Sequence, residues 1–334
     1  MAAAEPKRVA EPAEPREGSG PKKISGLHFL LTYQCSRSCP HCFVWGSPGH
    51  TATMTTEDIS LWLDEAVRAG VGRVAFEGGE PFLHFGLLLE AIREARSRGL
   101  GVGLVTNGFW AVSPGAARIY ARAVAEAGAS SLMISTDDYH GGPLEAERAQ
   151  EALAAGLAAG LETYLARTKL ANVMFRGRAA HRLAASATGP RREWMEFDQC
   201  PHEDLRAPGR VHLDAHGFVH ACQGLAIGKA RERPLAEILT GYRPEDHPVI
   251  AALIDGGPAA VVRAFGLEKE IGTAPGKYID ACQLCYLARE SLRERGVGRE
   301  AEARSKRLDL LGPDEMYGQG WRGHGEAGGW TPWV

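Results

Sequence analysis

Cys35, Cys39 and Cys42 fall within the run Tyr33-Gln34-Cys35-Ser36-Arg37-Ser38-Cys39-Pro40-His41-Cys42, at the spacing C-x3-C-x2-C. They follow directly on the apolar stretch Leu27 to Thr32, so the loop that carries them leaves the carboxyl end of a predicted strand. A cubic [4Fe-4S] cluster takes four thiolates, one per iron. A compact set of three implies either a distant fourth ligand or one iron open to another molecule. An open metal position is a catalytic one, by the logic that separates catalytic from structural zinc sites. The competing reading is a structural zinc knot, which expects paired C-x2-C units and a nearby fourth ligand. His41 is the one neighbouring candidate for that ligand.

The rest of the chain says what fold surrounds this loop. From Gly26 onward, short apolar runs alternate with amphipathic stretches, the signature of repeated βα units around a parallel sheet. Thr55 to Asp58 reads as a capping box opening a helix through Ile59, Leu63, Ala66 and Val67 to a stop at Gly70. Strands are predicted at Arg73 to Glu77, Gly101 to Thr106, Ser131 to Ser135 and Leu161 to Arg167, and helices at Phe85 to Ser97, Pro114 to Ala127 and Pro143 to Ala159. Only a few residues then separate the last strand from Val173-Met174-Phe175, too few for another helix. The expected fold is therefore α/β, a partial TIM-like (β/α) barrel, abbreviated and open on that side, with a small C-terminal cluster-binding module.

The expected domains are a disordered leader over 1–24, rich in Ala, Glu, Pro, Lys and Gly, the partial barrel over 25–195, the cysteine-bearing module over 196–311, and a tail over 312–334. A charged helix is expected from Asp280 to Arg307. With 334 residues, 44% of them hydrophobic, and a formal charge of -3, the chain has material for a sizeable core and no electrostatic footprint for nucleic acid. It carries neither a signal-peptide core nor an apolar run of the ~18 residues a membrane span needs, and a cytoplasmic location is expected. Seven cysteines, grouped as three (Cys35, Cys39, Cys42) and four (Cys200, Cys222, Cys282, Cys285), suit metal sites in a reducing compartment better than disulfides.

The triplet on a loop after the first strand resembles the radical S-adenosylmethionine (SAM) superfamily, over roughly residues 26 to 180. The resemblance implies a [4Fe-4S] cluster on the three cysteines, chelation of its fourth iron by the amino and carboxylate groups of SAM, and reductive cleavage of the sulfonium to a 5'-deoxyadenosyl radical. It also implies site residues. Gly78, Gly79 and Glu80 match the family's GGE motif, whose role is toward the SAM amino group. His41 stands where an aromatic residue near the adenine is usual, though a solvated loop histidine is its plain alternative. Asn107, Ser135 and Asp137 lie where relatives contact SAM, and they are also ordinary turn residues. Arg167 could neutralise the SAM carboxylate or be an exposed strand-end arginine. Asp138, Tyr139 and His140 are candidates for substrate contact or proton removal at the top of the barrel, against the alternative of a plain polar loop. An Arg176-Gly177-Arg178 run resembles a segment common near the end of this barrel in relatives with a second cluster.

The later cysteines, as C-x16-G-x4-C (Cys200, Gly217, Cys222) and C-x2-C (Cys282, Cys285), resemble the twitch module, a shortened SPASM extension. That resemblance implies a second [4Fe-4S] cluster, fully ligated by protein. Four thiolates also make a tetrahedral zinc site. A fully ligated cluster suits electron transfer, so the expected activity is a radical SAM oxidoreductase or maturase. Its substrate would be either a ribosomal precursor peptide or a small molecule such as an aminocyclitol or sugar, and its electrons would come from a partner such as flavodoxin or ferredoxin. A peptide substrate would call for a separate recognition protein or direct docking. The reading from another class is a non-catalytic cluster or zinc scaffold.

Overall fold

The computed structural model describes residues 24–273, 277–296 and 310–318. Residues 1–23 of the predicted leader, most of the predicted tail and residues 297–307 of the predicted charged helix lie outside them, whereas Ile24, placed in the leader, is buried in the core. In chain order the elements begin β1 (Gly26–Thr32), α1 (Thr56–Arg68), β2 (Arg73–Gly78), α2 (Phe85–Ser97), β3 (Gly101–Thr106), α3 (Pro114–Ala127), β4 (Ser131–Ser135), α4 (Pro143–Ala158) and β5 (Glu162–Ala166). They continue with α5 (Arg178–Arg182), β6 (Arg192–Glu193), β7 (Arg210–Asp214), β8 (Phe218–Cys222), β9 (Leu225–Lys229), α6 (Leu235–Thr240), α7 (Pro248–Ala264), α8 (Glu268–Thr273), β10 (Lys277–Tyr278) and α9 (Ala281–Gly296).

Local chemistry explains where the elements begin. The Thr55 hydroxyl accepts from the Asp58 amide at 3.1 Å while the Asp58 carboxylate accepts from the Thr55 amide at 3.2 Å, so two orphan donors of α1 are satisfied reciprocally. Ile59, Trp62, Leu63 and Ala66 then recur at helical spacing and are buried. The Ser113 hydroxyl caps α3 by accepting from the Ala116 amide at 3.2 Å, and Gly128 ends it in the left-handed conformation.

One sheet of eight strands runs in the order β5-β4-β3-β2-β1-β7-β8-β9, and among the described residues it does not close into a barrel. Strands β1 to β5 are parallel, β7 pairs parallel with β1, and β8 and β9 return antiparallel. Val173–Phe175 forms no strand. Val173 and Phe175 instead join Ala179 and Ala184 in a small separate apolar cluster, which leaves the β5 side open. The hairpin that carries Cys222 is continuous with the main sheet through β7, so it shares a hydrogen-bonded frame with the barrel strands.

The two faces of the sheet differ. Leu27, Phe29, Val74, Phe76, Val102, Leu104, Leu132 and Ile134 point to the helix-covered face and are nearly inaccessible, each fully buried side chain of this size contributing on the order of 1.5–3 kcal/mol. The alternate positions on β3 and β4 are only half-buried, because the concave side of the sheet is hollow. Glu77, Val105, Met133, Ser135 and Ala166, one or two from each of four strands, line that hollow.

Candidate active site and the four-cysteine site

Cys35, Cys39 and Cys42 all open onto a cavity of about 300 Å³ at the carboxyl ends of the parallel strands, where barrel enzymes build their sites. The loop that carries them is held from three sides. The Cys35 amide donates to Ser47 O at 3.0 Å, and the Cys42 amide donates to Cys39 O at 3.1 Å. From below, the buried Arg178 guanidinium donates to the carbonyls of Cys39 (2.7 Å), Trp45 (2.8 Å) and Gly46 (2.9 Å), and its own amide donates to Cys42 O at 3.0 Å. Gly177 lies against the loop with φ +60°, and a Cβ there would stand 2.6 Å from Phe43 O and 2.7 Å from Cys42 O. Only glycine fits. The Arg-Gly-Arg run thus has a structural meaning that its spacing did not disclose.

Gly78 and Gly79 line the same cavity. They also meet the cysteine loop edge-on: a Cβ on Gly78 would be 2.4 Å from Thr32 O, and one on Gly79 would be 2.1 Å from Gln34 O. The Gly79 amide donates to Thr32 O at 2.6 Å and the Glu80 amide to Gln34 O at 2.8 Å, so the two loops are laced together.

Glu80 turns away from that cavity. Its carboxylate is fully buried and does not line the cavity. Oε1 accepts from the Phe82 amide (3.1 Å) and the Thr106 hydroxyl (2.8 Å), and Oε2 accepts from the Asn107 amide (2.7 Å). Burial pushes this carboxyl up to about 7, against the pull of those donors. Its role in this structure is to tie the end of β2 to the end of β3 and so to place Asn107. The Asn107 side-chain amide in turn donates to Ser36 Oγ at 3.1 Å and lies 3.6 Å from Cys35 Sγ.

Ser135, Asp137, His140 and His41 meet at the far wall. Asp137 Oδ1 accepts from the His140 ring at 2.9 Å and Oδ2 from the Thr168 amide at 3.1 Å. Burial acts to raise the Asp137 carboxyl, and the hydrogen bond and charge of His140 overcome it, holding it down to about 2. Burial and then the charge of His140 push the His41 imidazole down to about 4, so it is neutral near pH 7. His41 packs against the rings of Tyr139 (5.0 Å) and His140 (4.7 Å), and its buried Nδ1 has no hydrogen-bond partner among the described residues. Asp138 and Arg167 are exposed and stand outside the cavity lining, and Tyr139 packs behind His41. The exposed-arginine alternative therefore describes Arg167.

Cys200, Cys222, Cys282 and Cys285 converge on a second cavity. Asp280 caps α9 through the Gln283 amide at 2.7 Å and also accepts from the Phe175 amide at 3.1 Å, which sets Cys282 and Cys285 one turn apart on one face of the first turns. Cys222 ends β8. Two guanidiniums flank the set: Arg176 donates to Cys222 Sγ at 3.1 Å, and Arg289, 2% exposed, donates to Gln223 O at 2.7 Å and contacts the Cys285 carbonyl at 3.3 Å. Arg176 lines both cavities.

The donor sets fit metal centres. Burial pushes the Cys39 thiol up to about 12 and that of Cys285 to about 11, with Cys35 and Cys282 raised further, so alone these groups stay protonated at neutral pH. A bound metal supplies the charge that removes those protons. Three thiols and two glycine backbones around one cavity suit a cluster with an open iron; four thiols between two arginines suit a fully ligated centre. Zinc and a [4Fe-4S] core leave the same net charge on four thiolates, so electrostatics does not separate them.

The described part of the C-terminal stretch was missed from sequence. Leu310, Leu311, Met316 and Tyr317 are buried. Tyr317 stacks on Tyr286 at 5.3 Å and donates to Gly224 O at 2.7 Å, and Trp45 of the first cysteine loop donates to the Tyr286 hydroxyl at 2.9 Å. This aromatic group connects the two sites. Its signal in the sequence was confined to Met316-Tyr317 within a glycine-containing stretch.

Residues 29–155 match the family model of the radical SAM superfamily. Among curated proteins, the chain is 32% identical over 111 residues to the peptide biosynthesis protein YydG of Bacillus subtilis (strain 168), covering 33% of this chain and 35% of YydG. It is 34% identical over 88 residues to a probable GTP 3',8-cyclase of Sulfurisphaera tokodaii, covering 26% of this chain and 28% of the cyclase. The chain thus spans about a third of the length of these relatives. A solved structure of BtrN in complex with AdoMet and 2-DOIA superposes with a TM-score of 0.47 at 15% identity, over 65% of this chain and 82% of BtrN. Among the described residues no helix is long and apolar enough to cross a membrane.

Proposed function

We propose that this chain is a radical SAM oxidoreductase that modifies a residue of a precursor peptide. Cys35, Cys39 and Cys42 would hold a [4Fe-4S] cluster whose fourth iron takes SAM, and Cys200, Cys222, Cys282 and Cys285 a second [4Fe-4S] cluster. When bound, these groups supply reductive cleavage of SAM to a 5'-deoxyadenosyl radical for hydrogen-atom removal, and an acceptor for the electron left on the substrate.

The observation that carries the reading is the partition of the seven cysteines, three on the wall of one cavity and four around another, with Arg176 between. The chain's own residues do the positioning. Arg178 and Gly177 hold the triplet loop, Glu80 places Asn107 beside Cys35, and the neutral His41 offers a flat ring and an unpartnered Nδ1 to a bound adenine. Arg176 and Arg289 offset thiolate charge at the second centre. The likeness to YydG supports a peptide over an aminocyclitol or sugar. A flavodoxin or ferredoxin would supply the electron for SAM cleavage, a separate recognition protein could deliver the peptide, and the cytoplasm would keep the thiols reduced.

Anaerobic reconstitution tests the reading. The protein should hold about eight irons, as two cubes of four, and should release 5'-deoxyadenosine from SAM plus dithionite. About four irons, with zinc retained in a variant lacking Cys35, Cys39 and Cys42, would refute the second cluster. No 5'-deoxyadenosine from fully reconstituted protein would refute the enzyme and leave the scaffold reading.

A further inference from the structure

On the hollow face of the sheet, Glu77, which lines the triplet cavity, meets two histidines that line neither cavity. His28 on β1, Glu77 on β2 and His212 on β7 come from adjacent strands. His28 and His212 are direct register partners, and Glu77 pairs with Leu30, two residues along the same face from His28. Their side chains converge: His28 Nδ1 lies 2.6 Å from Glu77 Oε1, and His212 Nε2 lies 3.2 Å from that same oxygen. The two rings meet edge to face at 5.1 Å.

A carboxylate kept only for packing would have both oxygens satisfied by donors. Here both imidazoles crowd one oxygen, and among the described residues no hydrogen bond reaches Glu77 Oε2, His28 Nε2 or His212 Nδ1. Of the three, Glu77 lines the triplet cavity, and Phe43, whose ring packs 6.0 Å from that of His212, lines it too. The side chains are 28%, 11% and 13% exposed for His28, Glu77 and His212, so a small ion reaches them while most of each group stays ordered.

One ligand atom from each residue lies within 4.8 Å of the other two. Ligands of a first-row divalent ion sit about 2.0–2.2 Å from it, hence roughly 2.8–3.6 Å from one another, so the 3.2 Å His212–Glu77 separation already fits and the 2.6 Å His28–Glu77 pair must part to admit the ion. Two imidazoles and a carboxylate suit such ions and leave coordination positions open, whereas the soft thiolate sets elsewhere in the chain select iron-sulfur chemistry. We propose that His28, Glu77 and His212 bind one divalent first-row transition cation, of the manganese, iron or zinc type, at the Glu77 edge of the cavity, with coordination positions left for a further oxygen or nitrogen ligand. The site goes beyond the radical reading and does not depend on it. Because an imidazole ligates only when neutral, binding weakens as pH falls.

The test uses the full chain with its cysteine sites reconstituted, desalted and titrated with Mn(II), which thiolates bind poorly, reading the free-ion EPR signal. One Mn(II) per chain is expected, with Zn(II) displacing it. His28→Ala and His212→Ala should each weaken binding at least tenfold, at unchanged iron content and melting temperature. Glu77→Gln serves as a second, nearly isosteric variant. Binding of neither ion by the wild type, or equal binding by a His28→Ala/His212→Ala double variant, would overturn the proposal. Iron content and 5'-deoxyadenosine release on the same preparations report separately on the radical reading.

Discussion

Arg178→Met is the sharpest probe of how the triplet loop is held. The guanidinium is buried and donates to three loop carbonyls at 2.7–2.9 Å, while its stem packs against Trp45, with the charge 5.2 Å from that ring. Methionine keeps most of the apolar stem and removes every donor. A hydrogen bond to a charged group contributes about 1.5–3 kcal/mol, and carbonyls left unpaired in the interior add to the loss. Three such bonds sharing one group are not additive, so about 4 kcal/mol is a reasonable total. That is a large part of the ~5–15 kcal/mol by which a domain is stable. At roughly 2–4 °C per kcal/mol for a chain of this size class, the melting temperature should fall by about 10 °C. The loss is local, so reconstituted Arg178→Met should keep the iron of the four-cysteine site and lose that of the triplet, going from about eight irons to about four. Arg178→Lys should fall between, since one ammonium cannot present the guanidinium fork. A variant that melts within ~2 °C of wild type and retains full iron would refute the assignment of Arg178 as the lock on this loop.

Other perturbations follow from the same geometry. Gly177→Ala forces a Cβ to within 2.7 Å of two carbonyl oxygens at a backbone conformation suited to glycine, at a cost of about 3 kcal/mol or more; triplet iron lost without any change at the second site is the expected readout by anaerobic iron assay. Glu80→Gln leaves one buried donor facing another and should lower stability by ~1–3 kcal/mol with only a modest loss of SAM affinity. A hundredfold loss of SAM binding at unchanged melting temperature would instead make Glu80 a direct ligand. The His216–Glu315 pair, 2.9 Å apart, fastens the 310–318 segment to the β7–β8 turn. The hydrogen bond to Glu315 raises the His216 pKa, so its contribution is complete below the unfolded imidazole value and lost as pH rises through the folded one. Despite burial, which would raise it, His216 lowers the Glu315 pKa, so that contribution is complete above the unfolded carboxyl value and lost as pH falls through the folded one. Amide exchange over 310–318 should therefore be slowest in the mildly acidic range between those limits and faster on either side, and a flat profile from pH 5 to 9 would count against the pair.

Much of the barrel was legible because its signals are local. The Thr55–Asp58 capping box, the helical recurrence of Ile59, Leu63 and Ala66, and the alternation along β3 and β4 each depend on residues only a few positions apart, although Val67, read into the same face, is exposed. Cys35, Cys39 and Cys42 share one short loop, and Gly78 and Gly79 close the next strand, so their meeting at one cavity follows from the parallel order of neighbouring strands. Other parts were not legible because they depend on contacts between distant segments. Nothing in the chain order says that β7 lies beside β1, and that pairing brings His212 against His28 and Glu77. Nothing local distinguishes Arg178, which reaches under a loop more than a hundred residues earlier, from Arg167, which faces solvent.

The amino-acid sequence by itself determined the cysteine inventory, its division into three and four, and the βα rhythm that sets the first group at a strand's carboxyl end. Only the tertiary structure decided that Glu80 turns inward to place Asn107, that Arg176 lies between the two cysteine sites, and that Met316 and Tyr317 pack against the helix bearing Cys285. The physical reason is common to all three. A spacing specifies which groups are within reach of one another along the chain, but burial and hydrogen-bond satisfaction are properties of the assembled interior. Which carboxylate faces a cavity, and which is used up by the backbone around it, is settled only once that interior has formed.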